Sequence, residues 1–315
     1  MTPQPLSFFH PRILLPFVVV TLIWGSTWFV IRSQIAEVPA SWSVTYRFLI
    51  AGLVVLSIAW LTGQRIRFSP RELAYAALIG GLQFTFNFNL VYAAEHHITS
   101  GLVAVVFALL VVPNAVLARL FLGTRFSRRF LFGSALAMAG VALLFVHEVR
   151  ADPASMEETL LGVGLTVMAV LTASVPNVMQ ASARAKALPM MSLLGWSMLF
   201  GTAANALWSF FTIGPPVVGQ SAGFFMGLAY LSVAASALTF TLYFGLIRDI
   251  GPAKAGFSNV LIPIIAMGIS TLFEGYSWAP LAMAGGVIVI LGMVIALIPA
   301  RTTSADATRP AGREA

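Results

Sequence analysis

The sequence predicts an all-α integral membrane protein with ten transmembrane helices, arranged as two inverted five-helix repeats. Composition, a series of long apolar segments and a motif that occurs twice lead to this fold class. Of the 315 residues, 59% are hydrophobic and only 9% are charged, whereas a soluble domain is about 25% charged. A soluble globule could not cover such a chain with a polar surface, so we expect the lipid bilayer to be its solvent.

The apolar segments define the predicted helices in order. A helix needs roughly 20 apolar residues to cross about 30 Å of hydrocarbon. Segment 13–32 exceeds the apolar core of a secretory signal, about 7–15 residues, so we expect it to remain as the first span. The polar tail at 301–315 is expected to be disordered. The ten predicted spans are 13–32, 43–62, 73–94, 99–121, 130–147, 160–183, 190–212, 223–247, 253–273 and 278–298.

A motif in segment 101–141 returns in segment 251–293. In both copies a glycine precedes a proline by twelve residues, and two glycines seven residues apart follow in the next span. This repetition predicts two related units, a first repeat at 13–147 with spans 1–5 and a second at 160–298 with spans 6–10. The matching residues are Gly101, Pro113, Gly133 and Gly140 in the first copy and Gly251, Pro263, Gly285 and Gly292 in the second.

The distribution of basic residues predicts the orientation. With the N-terminus in the cytoplasm, fifteen of the eighteen Lys and Arg residues fall on the inner side, as the positive-inside rule requires. Each repeat has an odd number of spans, so the second copy enters the membrane from the opposite side. The net charge of +7 is then explained by loops facing an anionic inner leaflet, and no nucleic-acid partner is expected. We predict a multi-pass protein of the cell inner membrane with both termini in the cytoplasm.

Short motifs occur in a fixed order along both predicted repeats. They are Trp24-Gly25, Phe29-Val30, Arg47-Phe48, Ala51, Pro113, Gly133, Gly140-Val141, Pro263, Phe273-Glu274, Gly285 and Gly292. In this order they resemble the drug/metabolite transporter (DMT) superfamily, and within it the EamA-type ten-span transporters. The resemblance covers both predicted repeats and implies export of amino acids, drugs or other small metabolites, driven by protons or another gradient. The chain departs from the family at Thr124, where the family often has Glu, although the second copy keeps Glu274.

Polar residues within the predicted spans suggest a substrate cavity, because a polar side chain is costly in lipid unless it faces the bundle interior or water. Asn89 and Tyr92 are three residues apart and share a helix face, as do Trp24 and Trp28, four apart. Asn87 should face elsewhere unless the helix is broken there. The alternatives are interhelical hydrogen bonds and bulky packing. The predicted cavity residues are Trp24, Trp28, Asn89, Tyr92, Asn114, Asn177, Tyr243 and Asn259.

Three prolines lie within predicted spans and predict helix bends at Pro113, Pro176 and Pro263. The carbonyl that each proline frees could bind substrate or let the helix flex. The alternative is a structural kink whose free carbonyl is satisfied by neighbouring helices.

Several charged or titratable residues in or near the predicted spans could each have more than one role. Arg47 could bind a substrate carboxylate, but snorkelling or pairing with Glu37 or Glu95 at the outer edge is the favoured interpretation. Glu95, His96 and His97 could couple protons to transport. Adjacent histidines on a helix diverge by about 100°, so we predict no metal site. The sequence leaves open whether Glu95, His96, His97 or Glu274 titrates in a transport cycle.

The predicted function is secondary-active export of small metabolites, such as amino acids or drug-like amphiphiles, by alternating access. The cavity would lie between spans 1, 3, 4, 6, 8 and 9, with protons as the candidate coupling ion. A passive channel or facilitator is one alternative, and a membrane-embedded transferase using His96 and His97 is a weaker one, so we predict no enzyme activity and no cofactor. Substrate, direction of flux and oligomeric state stay open at this point.

Overall fold

The computed structural model describes residues 8–151, 155–273 and 279–298. All regular elements within these residues are helical, which confirms the all-α prediction. Nine helices in the described part are long and apolar enough to cross a membrane. The remaining predicted span, 73–94, which lies at 70–94 in the structure, carries three polar amide side chains in its centre, which lower its hydropathy. The predictions for Glu274 and for the tail at 301–315 lie outside the described residues.

The helices follow the predicted order, with ends that shift by a few residues. Short helices at Ala183–Lys186 and Pro252–Ala255 precede spans 7 and 9. The spans are span 1, Pro11–Ile35; span 2, Ala40–Leu61; span 3, Pro70–Gly80, Gly81–Asn87 and Phe88–Ala94; span 4, Ser100–Phe107, Ala108–Leu110 and Val111–Leu122; span 5, Arg128–Ala151; span 6, Met156–Ala181; span 7, Met190–Thr212; span 8, Ala222–Ala229, Tyr230–Leu238 and Thr239–Ile250; span 9, Phe257–Phe273; and span 10, Pro280–Leu297.

Serine caps fix where several spans begin. The hydroxyl of Ser69 accepts a hydrogen bond from the Glu72 N–H, and the Glu72 carboxylate accepts one from the Ser69 N–H, which forms a capping box. Ser155 and Ser221 cap spans 6 and 8 in the same way with their hydroxyls. Span 4 ends at Gly123, whose φ of 65° is favourable only without a Cβ atom.

The two repeats pack together through the glycines of the repeated motif. Span 5 and span 10 make the most extensive contact between helices. A Cβ atom on Gly133 would lie 2.5 Å from the Gly292 carbonyl oxygen, and one on Gly140 would lie 2.7 Å from that of Gly285. In each copy, the first glycine of the pair spaced by seven residues therefore contacts the second glycine of the pair in the other copy. This crosswise pairing requires equivalent helices to run antiparallel, as inverted repeats must, and small residues let their backbones approach closely.

Other contacts follow the same pseudo-two-fold relation. Span 2 packs on span 7, its counterpart in the second repeat. Span 1 packs on spans 8 and 9, and span 6 correspondingly packs on spans 3 and 4. The structure is therefore a bundle of two inverted five-helix repeats, and the spans that pack across the repeat boundary surround a central space.

Spans 3 and 8 share a departure from α-helical geometry that the sequence did not indicate. Each contains a π-helical segment, Gly81–Asn87 in span 3 and Tyr230–Leu238 in span 8, at corresponding positions of the two repeats. A π-segment accommodates an extra residue in the helix and often lies at a functional site. Both segments are adjacent to the central space.

Candidate substrate cavity

A cavity with about 610 Å³ of space between atoms lies at the boundary of the two repeats. Residues from spans 1, 2, 3, 4, 6, 8 and 9 line it, which adds span 2 to the six spans expected from the sequence. Its lining combines aromatic rings, neutral amides and one arginine. The lining residues are Trp24, Thr27, Trp28, Ile31, Arg47, Gln83, Asn87, Phe88, Val91, Phe107, Leu110, Ala173, Asn177, Phe240, Tyr243, Asn259 and Ile262.

Trp24 forms the centre of the aromatic wall. Its ring centroid lies 5.2 Å from that of Phe240 and 4.9 Å from that of Tyr243, both in edge-to-face geometry. The indole N–H donates to the Ala235 carbonyl oxygen at 3.1 Å. Trp24 thus joins span 1 to the π-segment of span 8 while its ring faces the cavity.

Amide side chains from spans 6 and 9 form a second wall. Asn177 is fully buried, and its Nδ2 lies 3.4 Å from Asn114 Oδ1 and 3.5 Å from the Tyr243 hydroxyl. Asn114 is also fully buried and donates to the Pro252 carbonyl oxygen at 3.1 Å. Asn177, Tyr243 and Asn259 line the cavity, whereas Asn114 lies outside the lining and contacts Asn177.

Span 3 presents a different face to the cavity from the one expected. Gln83, Asn87 and Val91 line it, each four residues from the next, and Asn89 and Tyr92 do not. Asn87 Nδ2 donates to the Ala169 carbonyl oxygen of span 6 at 2.8 Å. The four-residue spacing places these side chains on one face of the helix, so Asn89 points away from them.

Asn89 instead belongs to a hydrogen-bonded cluster between spans 2, 3 and 7. Its Nδ2 donates to the Thr85 carbonyl oxygen at 2.8 Å and to Asn205 Oδ1. Asn205 Nδ2 donates to the Ser41 carbonyl oxygen at 2.7 Å and to Thr45 Oγ1 at 2.8 Å. These contacts satisfy the buried amide of Asn205 and the half-buried amide of Asn89, and they hold three helices together.

Arg47 is the clearest difference from the sequence-based interpretation. Its side chain is only 2% exposed, so the expectation that it snorkels to the outer edge is wrong. The Nε atom donates to Ser236 Oγ at 2.7 Å, and Nη2 donates to the Ala235 carbonyl oxygen at 3.3 Å. The guanidinium carbon lies 4.9 Å from the Phe88 ring centroid. Arg47 faces inward because the π-segment of span 8 offers it acceptors there.

The histidines at the outer end of span 3 are separate from the cavity. His96 lines a lateral groove that also includes Asn89 and Trp208. Within the described residues, no group of three or more His, Asp or Glu side chains is placed to hold a metal ion. Neither histidine contributes to the cavity lining.

The three prolines that are predicted to bend their helices lie close to the cavity. Pro176 immediately precedes Asn177 in span 6, and Pro263 follows the lining residue Ile262 in span 9. In span 4 a short 3₁₀ turn, Ala108–Leu110, precedes Pro113 and includes the carbonyl that the proline frees, that of Leu109. Leu110 at the end of this turn lines the cavity.

Comparison with known proteins identifies this architecture. Residues 12–146 and 160–298 each match the EamA-like transporter family. The chain belongs to that family. This EamA-like transporter is therefore a membrane transport protein, since the family and the names of the relatives indicate a transporter rather than an enzyme.

Several curated relatives align with this EamA-like transporter over nearly their whole length. The inner membrane transporter YedA of Escherichia coli K12, named as uncharacterized, is 29% identical over 93% of this chain and 94% of its own. PagO of Salmonella typhimurium is 23% identical over 90% and 91%. A protein of the same organism, named a probable amino-acid metabolite efflux pump, is 24% identical over 88% and 92%.

A solved crystal structure shares the fold of this EamA-like transporter. It superposes with a TM-score of 0.73 over 90% of this chain and 95% of its own, at 17% sequence identity. The likeness supports the two-repeat helical architecture. The name of the relative YedA separately indicates an inner-membrane location.

Proposed function

We propose that this EamA-like transporter is a secondary-active carrier that exports small amphipathic metabolites, such as amino acids or drug-like amphiphiles, by alternating access. The observation that carries the proposal is the cavity between inverted repeats, in which an aromatic wall faces neutral amide side chains. Such a cavity offers a ligand both apolar contact and hydrogen bonds. A site between inverted repeats can open to either side when one repeat moves against the other.

The spans around the cavity contain the features that such a movement requires. The π-segments of spans 3 and 8 lie in equivalent positions of the two repeats. Spans 6 and 9 each contain a proline beside a lining residue. Irregular helices of this kind change shape more readily than regular ones, because fewer backbone hydrogen bonds fix them. We infer that these segments absorb the rearrangement between inward-open and outward-open states.

The size of the cavity favours a carrier over the alternative, a passive channel. The space open to the centres of water-sized molecules is about 80 Å³. We infer that a metabolite of amino-acid size enters and leaves this narrow space through a conformational change, which a carrier cycle provides.

Counterflow in proteoliposomes tests the proposal. Purified protein would be reconstituted, loaded with each of the twenty amino acids in unlabelled form, and exposed outside to a trace of the labelled compound. A carrier accumulates label transiently and saturates with concentration, whereas a channel does neither. An imposed proton gradient then tests protons as the coupling ion. Absence of saturable counterflow for every compound, with the protein shown to be folded, would refute the carrier mechanism.

The proposed orientation makes a further prediction. The chain contains no cysteine, so maleimide labelling of a single introduced cysteine reports whether that position is accessible from outside the cell, without background. Cysteine at Gln220, exposed in the loop before span 8, is expected to react with a membrane-impermeant maleimide on intact cells. Cysteine at Ala187, exposed in the loop before span 7, should react only after the membrane is permeabilised. The reverse pattern would overturn the assignment of both termini to the cytoplasm.

A further inference from the structure

A second cavity lies at one face of the bundle and shares no lining residue with the central cavity. It has about 820 Å³ of space between atoms. Its walls come from the loop between spans 4 and 5, the end of span 8, the short helix Pro252–Ala255 and the end of span 10. The distribution of basic residues assigns this face to the cytoplasm. The lining of this inner-face pocket includes Thr124, Arg125, Phe126, Phe130 and Lys254.

Two cations line the inner-face pocket, and no carboxylate is among its described lining residues. Arg125 belongs to the first repeat, and Lys254 lies between spans 8 and 9 of the second. Both are exposed, and neither side chain makes an ion pair or a hydrogen bond within the part of the chain that the structure describes. The acid closest in sequence to Lys254 is Asp249, which is exposed and lies outside the lining. The pocket is therefore complementary to an anion.

Thr124 keeps this pocket cationic. Gly251 follows Gly101 by 150 residues, and the same offset aligns Thr124 with Glu274 in the second repeat. A carboxylate at position 124 would offset the charge of the neighbouring Arg125. The threonine hydroxyl is neutral and can donate a hydrogen bond to an anionic oxygen. The difference between the two copies thus leaves two positive charges in the first repeat's half of the inner face and in the facing short helix.

The floor of the inner-face pocket is apolar and held by contacts between the repeats. Phe126 and Phe130 stack with ring centroids 4.6 Å apart, and the Phe130 centroid lies 6.1 Å from that of Phe257 in span 9. Phe130 is only 3% exposed. Asn114 of span 4 donates to the Pro252 carbonyl oxygen, which fixes the short helix against the first repeat. Exposed cations above an apolar floor match a phospholipid, in which a phosphate is joined to acyl chains, better than a soluble anion.

We propose that the inner-face pocket binds the headgroup phosphate of an anionic phospholipid from the inner leaflet. Arg125 and Lys254 contact the phosphate oxygens, and Thr124 donates a hydrogen bond to them. Phe126 contacts the glycerol and the first carbons of the acyl chains. Basic pockets between spans on the cytoplasmic side are suited to such headgroups. A lipid held in this way contacts both repeats and stabilises their arrangement. The site is separate from the transport cavity, so the inference stands or fails independently of the proposed function.

Thermal unfolding in a neutral detergent tests the specificity for an anionic lipid. The unfolding midpoint would be followed as the mole fraction of dioleoyl phosphatidylglycerol in the micelles increases. Dioleoyl phosphatidylcholine and millimolar inorganic phosphate are the comparisons. A ligand that binds the folded state raises the midpoint with its concentration, and we expect only phosphatidylglycerol to do so. An equal rise with phosphatidylcholine would overturn the requirement for a net negative charge. An equal rise with inorganic phosphate would overturn the assignment to a lipid.

Charge-matched variants separate the pocket from general attraction between basic loops and anionic lipid. Each basic residue near an anionic bilayer contributes roughly fivefold in affinity. Arg125→Gln combined with Lys254→Gln should therefore raise the half-saturating mole fraction of phosphatidylglycerol roughly 25-fold. Arg67→Gln combined with Lys186→Gln is the control, because it removes the same charge from two exposed residues on the same face outside the pocket. It should leave the half-saturating mole fraction nearly unchanged. Equal losses in the two double variants would overturn the pocket as the binding site.

Thr124 provides a test that keeps both cations. Thr124→Glu places a carboxylate beside Arg125, so it should raise the half-saturating mole fraction about fivefold or more by offsetting one cation. Thr124→Gln is the neutral control of similar size and should retain most of the binding. Position 124 is partly exposed, so both variants should unfold at the midpoint of the unaltered protein when phosphatidylglycerol is absent. Equal binding of phosphatidylglycerol by the two variants would contradict contact between the phosphate and this pocket.

Discussion

Valine in place of Gly292 is expected to prevent stable packing of span 5 against span 10. A Cβ atom at this position would lie 2.6 Å from the Gly133 carbonyl oxygen and would also clash with the backbone at Ala137. Backbone atoms on the facing helix cannot rotate away as a flexible side chain can. Overpacking in a well-packed core costs typically about 1–3 kcal/mol. We expect a loss at or above the upper end of that range, because the clash involves backbone on the facing helix.

The measurement is the thermal unfolding midpoint in detergent, together with the yield of folded protein from membranes. Gly140→Val should have a similar effect, because its Cβ would lie 2.7 Å from the Gly285 carbonyl oxygen. Gly164→Val is the matched control, since Gly164 lies in span 6 with no atom within 4 Å of an added Cβ. If the midpoint of Gly292→Val equals that of Gly164→Val, the close contact between the two repeats is not as described.

The glycine contact also shows what the sequence could predict. A twelve-residue and a seven-residue spacing, each found twice, was enough to identify two related units. Counting basic residues by loop was enough to infer that one unit is inverted. The pattern did not indicate that the repeated glycines contact each other across the molecule. That contact depends on the three-dimensional pseudo-symmetry, which places Gly133 against Gly292 and Gly140 against Gly285.

Span 3 shows why candidate residues are harder to assign than helices. Asn87 and Asn89 lie two residues apart, so they point in different directions on any helix. The sequence could not decide which direction leads to the cavity, and the argument from Tyr92 favoured the face that does not line it in this structure. A spacing of four between Gln83, Asn87 and Val91 was the available signal, and two of these residues are amides. The π-segment that positions them has no recognisable sequence pattern.

A general rule placed the Arg47 side chain at the membrane edge, and this rule did not predict its direction here. An arginine near the end of a span usually reaches towards water. Here the neighbouring span 8 departs from α-helical geometry, and the Ala235 carbonyl oxygen and the Ser236 hydroxyl accept hydrogen bonds from the guanidinium. The direction of a charged side chain therefore depended on the backbone geometry of another helix in the other repeat, which the local sequence does not reveal.

Trp24→Ala is expected to reduce transport at least tenfold while the protein remains folded. The substitution removes the hydrogen bond to the Ala235 carbonyl oxygen and two ring contacts, with Phe240 and Tyr243. A hydrogen bond contributes about 0.5–1.5 kcal/mol, and each aromatic pair about the same. If these contacts exist during only part of the transport cycle, their loss changes the equilibrium between the inward-open and outward-open states. It also changes the wall of the cavity. Each 1.4 kcal/mol then corresponds to about tenfold in rate or affinity.

A second substitution separates the two contributions of Trp24. Trp24→Phe keeps an aromatic ring beside Phe240 and Tyr243 but removes the indole N–H, so we expect a smaller loss, roughly two- to tenfold from one hydrogen bond. Trp60→Ala is the matched control, because Trp60 lies at the end of span 2, is 66% exposed and does not line the cavity. Initial rates of counterflow, measured against substrate concentration for all three variants, give the comparison. Equal kinetics for Trp24→Ala and Trp60→Ala would show that Trp24 neither contacts the substrate nor holds the π-segment of span 8 in the transport cycle.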